Sequence, residues 1–455
     1  MRTTRRDLIR GAGSFVSAVL LGDKTLGCAR EGRLISSRIN KGVKVVDALS
    51  GAQLYEDVIA YYNLGEHRTA TEADLRTTQW LVDQFRATGI KATSHSFGLR
   101  QFFIRESRLT IADRSGDRNI RAFPLWFPRA TGPKSINGQI VVLDARGGEP
   151  LAVRGKIALV KFPFDSRSAV VSGSGHAETI LAASKAGALA IVAITEGSTK
   201  EIIALNSLPG AEPWPIPVLL VSPHDEPALM SAVQSGARAA LLVDGVDDPD
   251  ATAKNVIARV DRGKELIVVS TPQSGWFRCA GERGPGIALF LGLARWASRR
   301  PSGASFLFVS TSGHELGGLG MRAFLKELAP PPERVLCWVH LGAGIATYSW
   351  EETPAGLKRL REPDSRRYLM TSRDLVPMLT TTFAGIPGLT PVVDRAVGEF
   401  ELMMKAGYRI FGIAAGHRFH HTPADSPETT GADILEPVGR ALVNSLESVE
   451  RNTKV

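Results

Sequence analysis

Residues 254–452 predict an α/β domain built on a doubly wound, mostly parallel sheet, and residues 137–245 predict a β-rich module inserted ahead of it. The first expectation rests on alternation. Apolar runs at 265–270, 305–310, 335–340 and 410–413 are separated by amphipathic stretches at 287–297, 319–328, 399–406 and 435–450. Short apolar strands divided by amphipathic helices need helices on both faces of a parallel sheet. The second rests on a β/α order that closes on itself. Strands are expected at 155–162, 188–194, 216–221 and 239–243, with helices at 178–186 and from 222 to about 236. A third observation is positional. Thr271, Gln273, Glu282, His314, Glu315, Gly342 and His417 to His421 all follow ends of apolar runs, the place where open α/β sheets keep their sites.

The remaining segments follow in order. Residues 29–43 are polar and aperiodic and read as a linker. Residues 45–136 open the main domain. Leu75, Thr78, Val82 and Phe85 recur at helical spacing, and Gly89 ends that helix before a strand at 90–97. At 455 residues, two or three such units are expected.

The chain carries a formal net charge of +9, which raises nucleic acid as a partner. Residues 1–27 account for +3 of it (Arg2, Arg5, Arg6, Arg10 and Lys24 against Asp7 and Asp23), leaving +6 for the rest. The pairs Arg359/Arg361 and Arg366/Arg367 read as a solvated loop, and no basic run is interleaved with aromatics. Nucleic acid is therefore discounted.

The N-terminus reads as an address. Thr4-Arg5-Arg6-Asp7-Leu8-Ile9-Arg10 has the paired arginines of a twin-arginine signal, followed by a mildly apolar stretch at 11–21. Residues 1–28 are thus expected to be a signal segment and the protein exported, periplasmic or extracellular. The apolar stretch falls short of the ~20 residues a bilayer span needs, so no integral membrane span is expected. Leu26-Gly27-Cys28 approaches a lipoprotein cleavage box, with Thr25 in place of its leucine, which leaves a lipid anchor at Cys28 as a secondary reading. Cys279 and Cys337 alone imply no disulfide framework.

Two sets of motifs resemble known families. "GKIALV", "AGALAIVAI" and "IPVLLV" give residues 137–245 the look of a protease-associated domain, a module without chemistry of its own that flanks or gates a hydrolase site. His176 and His224 within it read as surface or loop histidines. "KNVIARV", "ELIVVS", "GPGIALFLGLARWA", "SFLFVSTSGHELGGLG" and "HHTPADSPETT" follow, in order and spacing, the motifs of the co-catalytic zinc aminopeptidases and the related glutaminyl cyclases. That resemblance covers most of residues 50–450 and implies a zinc-exopeptidase-like fold acting on a peptide or small amide substrate.

Carried over by position, the resemblance implies a partly degenerate metal site. A histidine ligand falls on Thr271 and an aspartate on Gly342, neither of which supplies the donor. Glu282, Glu315 and His421 remain as ligands for one zinc, which meets the three protein ligands of a catalytic zinc. His314 stands where the family has its general base, and a neutral imidazole can serve there. His340, His420 and Glu399 are further candidates for the site. Cys279 reads as a small buried thiol. Three functions stay open: a single-metal hydrolase or acyl-transfer enzyme on peptide or amide bonds, a non-catalytic pseudopeptidase that binds ligands, and metal-free chemistry on a small molecule through His314, Glu282 and Glu315.

Overall fold

The computed structural model describes residues 47–113, 116–143, 150–165, 168–170 and 173–451. The signal segment 1–28, the linker and Cys28 lie outside them.

Two helices open the described chain, α1 (Gly51–Tyr62) and α2 (Glu72–Ala87). Thr78, Val82 and Phe85 are buried on α2 as their spacing predicts, whereas Leu75 is 37% exposed and faces away from the core. A 23-residue strand follows, β1 (Lys91–Asp113), then β2 (Gly116–Ile120), β3 (Ala122–Pro124) and β4 (Ile136–Val142). Strands β5 (Ile157–Phe162), β6 (Ala190–Thr195) and β7 (Val218–Val221) alternate with α3 (Gly175–Lys185), and α4 (Glu226–Ser235) comes after β7. A second 23-residue strand is β8 (Arg238–Val260). Then come β9 (Leu266–Pro272), α5 (Gly284–Arg299), β10 (Ser305–Thr311), α6 (Leu319–Glu327) and β11 (Cys337–Leu341). A hairpin of β12 (Tyr348–Thr353) and β13 (Gly356–Pro363) precedes β14 (Arg367–Thr371), α7 (Val376–Thr382) and β15 (Pro391–Val392). The chain closes with α8 (Glu399–Lys405), β16 (Ile410–Ala415) and α9 (Ala432–Arg451).

Hydrogen bonding runs in the order β15-β14-β16-β11-β9-β10-β8-β4-β5-β6-β7-β3, with β1 on β8 and β2 on β1. The central pairs β16–β11, β11–β9 and β9–β10 are parallel, as are β4–β5–β6–β7. Period-two alternation explains the double winding. On β9, Ile267 and Val269 pack in one core with α1, α2, α5 and α9, while Val268 packs in the other with α6 and α8. The sheet is mostly parallel and covered on both faces, as the sequence predicts.

The described residues fall within one compact unit. Segment 137–245 is joined to the rest through the two long strands. Val256–Val260 within β8 pairs with β10, and Arg238–Leu241 pairs with β4, while β1 lines β8 along its length. The short strand expected at 239–243 is thus the start of a much longer one. Asp247-Asp248-Pro249-Asp250 has the composition of a turn, yet the structure absorbs it in a register shift opposite Arg100. A bulge lets a proline sit where its missing N–H costs no ladder bond, and Arg100 pairs with Asp247 at 2.6 Å.

Two other local expectations change. The basic stretch 359–367 is the β12–β13 hairpin and the start of β14, not a solvated loop. Both faces of that hairpin are largely exposed, so no apolar period marks it. Arg359 stacks 4.7 Å over the Tyr348 ring, and Arg367 is buried, donating to the carbonyls of Ile345 and Pro387. His176 is buried, stacked on Phe162 and bonded to the Pro163 carbonyl, while His224 is exposed as expected. Among the described residues, no helix is long and apolar enough to cross a membrane.

Trp338 ties two central strands together. Its indole donates to Ser270 Oγ at 2.8 Å and its ring packs against Phe324 and Tyr408. Trp338→Phe removes the donor and part of the volume, so chemical denaturation is expected to show a loss of about 2 kcal/mol.

Candidate active site

The carboxyl ends of β16, β11, β9 and β10 stand side by side, and the loops that leave them carry the polar residues. After β10, Gly313 and Gly317 both have φ of 82°, which sends the chain through a tight strand-to-helix turn and presents His314 and Glu315. At Gly317 a Cβ would lie 2.3 Å from Pro209, so only glycine lets the 202–211 loop rest there. After β16, His421 adopts a left-handed φ of 59°, a backbone state that non-glycine residues hold only when their surroundings enforce it.

That enforcement is visible. The Ala204 N–H donates to the His421 carbonyl at 2.9 Å, and His421 Nδ1 lies 3.0 Å from the Ala204 carbonyl. A carbonyl only accepts, so Nδ1 carries the proton of that bond. Nε2 points to Glu282, 3.4 Å from Oε1. His420 stacks on His421 with ring centroids 3.9 Å apart, its Nδ1 lying 3.9 Å from the same oxygen. Among the described residues, Glu282, His420 and His421 form a group of metal-holding type, with one donor atom from each within 4.8 Å of the others. No hydrogen bond satisfies either Glu282 oxygen, His420 Nδ1 or His421 Nε2. Buried polar atoms are normally paired, and apart from the Arg283 guanidinium 3.0 Å from Glu282 Oε1 these atoms have no such partner, which describes a place for a ligand.

Charge in this pocket is set by neighbours. Burial works against ionised Glu282, but Arg283 and the two histidines outweigh it and hold its carboxyl well below the usual range. Burial, and then the neighbouring His421, push His420 well below the ordinary imidazole value, so it stays neutral and able to ligate. The Glu282 loop is fixed from behind by Asp425, which accepts from the Gly281 and Glu282 N–H groups at 2.8 and 2.9 Å and from Thr429 Oγ1. His417 flanks Asp425 at 3.5 Å, and although burial opposes its charge, Asp425 raises its pKa.

Glu315 stands outside that group. Its Oε1 accepts from Arg283 Nη2 at 2.8 Å and its Oε2 from Ser274 Oγ at 2.7 Å. Arg283, itself buried, also donates through Nε to the Ser274 carbonyl and lies 3.0 Å from Glu282 Oε1. Ser274 Oγ in turn accepts from the N–H groups of Gly313 and, more weakly, His314. Of the three ligands expected from sequence, the structure brings Glu282 and His421 together and adds His420, while Glu315 faces a guanidinium.

A second cluster surrounds His314. Its Nδ1 lies 3.3 Å from Glu399 Oε1, and Glu399 Oε2 accepts from Thr311 Oγ1 at 2.9 Å. Burial opposes the Glu399 charge, but His314 and Thr311 offset it and keep the carboxyl below its ordinary value. His340, on β11, bonds Ser270 Oγ through Nδ1 at 2.9 Å, and burial lowers its pKa to about 4. It bonds across to the neighbouring strand and is not a member of the Glu282 group. Cys279 is buried, and burial together with Glu282 and Asp425 raises its thiol pKa well above the usual value, which makes it inert.

The two positions implied to lack donors are closed as well. Thr271 Oγ1 donates to the Leu341 carbonyl at 2.8 Å. A Cβ at Gly342 would lie 2.9 Å from the Ile413 carbonyl and 3.0 Å from Ala414 Cβ.

No protein-family model matches the chain, and no curated protein matches it by sequence. Solved structures do. A zinc aminopeptidase from Bacillus subtilis superposes with a TM-score of 0.70 at 18% identity, covering 90% of this chain and 97% of that one. A peptidase M28 precursor from Shewanella amazonensis SB2B gives 0.70 at 16% identity, covering 89% and 94%. The chain has the zinc-aminopeptidase fold. An aminopeptidase from Aneurinibacillus sp. strain AM-1 adds a TM-score of 0.59 at 16% identity, over 89% and 94% of the two chains.

On this aminopeptidase fold, Arg283, Ser274, Thr311 and Asp425 are the site residues that sequence reasoning passes over. Arg283 had one available signal: a basic residue directly after a candidate acidic ligand, at the start of a buried helix whose first turn holds no acidic residue.

Proposed function

We propose that the chain is an exported hydrolase or acyl-transfer enzyme for peptide or small amide bonds, dependent on one divalent cation held by Glu282, His420 and His421. The observation that carries this is the convergence of one ligand atom from each of three buried or half-buried side chains, all within 4.8 Å of one another, at the carboxyl edge of the sheet. One carboxylate and two imidazoles match the donor chemistry of a catalytic zinc site. A cation held there would supply Lewis acidity toward the scissile carbonyl.

The rest falls to side chains. With Nδ1 directed at Glu399, His314 has Nε2 free to take the proton of the attacking water and to return it to the leaving amine. Glu399 orients the ring and offsets the charge it gains. Arg283 and Ser274 hold Glu315, and so keep the turn that carries His314 in place. We further infer that residues 137–245 serve as a protease-associated-like module that covers one side of the site. The backbone bonds from Ala204 to His421 and from Ser207 to Glu315 support that part.

The test begins with zinc titration of the purified protein by calorimetry and elemental analysis. One zinc per chain is expected. Glu282→Gln and His421→Ala are each expected to weaken uptake at least a hundredfold while circular dichroism stays unchanged. Unaltered zinc uptake in both would remove the cation site, and absence of turnover on an amide panel would leave a ligand-binding scaffold in place of an enzyme.

A further inference from the structure

We propose that Arg283 is the resident cation of this centre and that its charge limits the centre to one divalent ion. The inference deepens the single-cation reading above and rests on it for the position of that ion. Its evidence is independent: the charge count and the bonds of one buried guanidinium.

Two carboxylates, Glu282 and Glu315, are buried at the centre, and one cationic side chain, Arg283, lies between them. Nη2 is 3.0 Å from Glu282 Oε1 and 2.8 Å from Glu315 Oε1, and Nε is 2.7 Å from the Ser274 carbonyl. Two carboxylates and one guanidinium sum to a single negative charge. One divalent ion at Glu282, His420 and His421 takes that sum to +1, which a single anionic oxygen from solvent or substrate balances. A second ion would leave +3 among buried side chains, where unpaired charge is costly.

Geometry agrees with the count. A second ion between the carboxylates would have to displace a guanidinium anchored at three points. Glu315, with both oxygens engaged, has nothing to offer without that displacement. No further donor stands nearby at Thr271, whose hydroxyl is committed to Leu341, or at Gly342. Arg283 Nη1 is also buried and without a hydrogen-bond partner. A planar guanidinium keeps its charge at any working pH and bridges carboxylates with fixed geometry, which makes it a permanent substitute for an exchangeable ion.

The experiment reads zinc binding, not turnover, on the full chain and two variants. Arg283→Met keeps bulk and removes the charge. Arg283→Met with Glu315→Leu removes one charge of each sign and leaves the sum unchanged, and a buried ion pair replaced by apolar groups of similar size commonly folds. The wild type is expected to stop at one zinc. The single variant is expected to bind zinc at least tenfold more tightly or to take a second ion, and its melting temperature should rise with added zinc. The double variant should return to one ion with an affinity within a few-fold of wild type.

Two zincs in the wild type overturn the inference. So does a folded single variant that binds zinc as the wild type does, or a double variant that loses zinc altogether, since Glu315 would then be a ligand. If the single variant does not fold, the double variant and the wild type still decide. No zinc in the wild type together with uptake in Arg283→Met would defeat the single-cation reading while supporting the role of Arg283.

Discussion

Alanine in place of His314 is expected to lower amide turnover by about a hundredfold to ten-thousandfold, the range for loss of a general acid–base. The ring is held at 3.3 Å by Glu399, whose other oxygen takes the Thr311 hydroxyl, and it borders a turn pinned by Ser274. If the proposed cation site is right, removing the imidazole should leave zinc uptake intact, because His314 is not among Glu282, His420 and His421. Glu399→Gln tests whether the carboxylate acts through the ring. It should reduce kcat about tenfold with KM nearly unchanged, and the effect should vanish in a His314→Ala background. Amide turnover in His314→Ala equal to wild type would refute the assignment of the base while leaving the fold and the cation site as they are.

A second large effect concerns stability and pH. Asp74 is buried on α2, where it accepts from the Ala70 N–H, Ser312 Oγ and Gln273 Nε2. Burial nonetheless dominates and raises its pKa from 3.8 to about 7. A carboxyl whose folded pKa exceeds its unfolded value favours the fold in its protonated form. Its contribution is complete below about pH 4 and is lost as pH rises through about 7. A shift of this size corresponds to roughly 4 kcal/mol.

His67 and His340 act in the opposite sense. Burial lowers their pKa values to about 3 and about 4, so their neutral forms favour the fold and stability is lost as pH falls from 6.5 through those values. The curves of wild type and Asp74→Asn, measured by urea unfolding from pH 4 to 8.5, should therefore share the histidine limb and differ on the alkaline side. Between pH 5 and pH 8 the wild type should lose stability that the Asp74→Asn variant keeps. Parallel curves across the whole range would show that Asp74 titrates normally.

Much of the architecture was legible because it follows from local periodicity. Apolar runs of strand length and amphipathic helices mark residues 254–452, and a doubly wound sheet places its site at strand ends. That is why Glu282, His314, Glu315, His420 and His421 could be nominated from sequence. The long strands were not legible, since β1 and β8 pair across bulges that the chain writes as charged, turn-like residues. The hairpin at 348–363 was hidden because it buries neither face. Within the site, the departure came at Glu315. Spacing places a carboxylate near a centre, but its partner is decided by whichever charge the tertiary fold delivers, and here Arg283 arrives from the loop after β9. His420 entered the group for a related reason. The left-handed turn at His421 stacks the two rings and points both at Glu282, and nothing in a run of two histidines encodes that φ.

Gly342 also constrains the routes by which this sequence can change. Its neighbours on β16 have closed over the space a side chain would need, with the Ile413 carbonyl and Ala414 Cβ within about 3 Å of any Cβ placed there. A carboxylate introduced at that position would meet a wall before it met an ion. A mutational path toward a two-ion centre must first loosen β16 around Ala414, a step with no benefit of its own, and must also part with Arg283. On the single-cation reading proposed above, the packing would work as a ratchet, with a one-ion arrangement easy to keep and several coordinated steps needed to leave it.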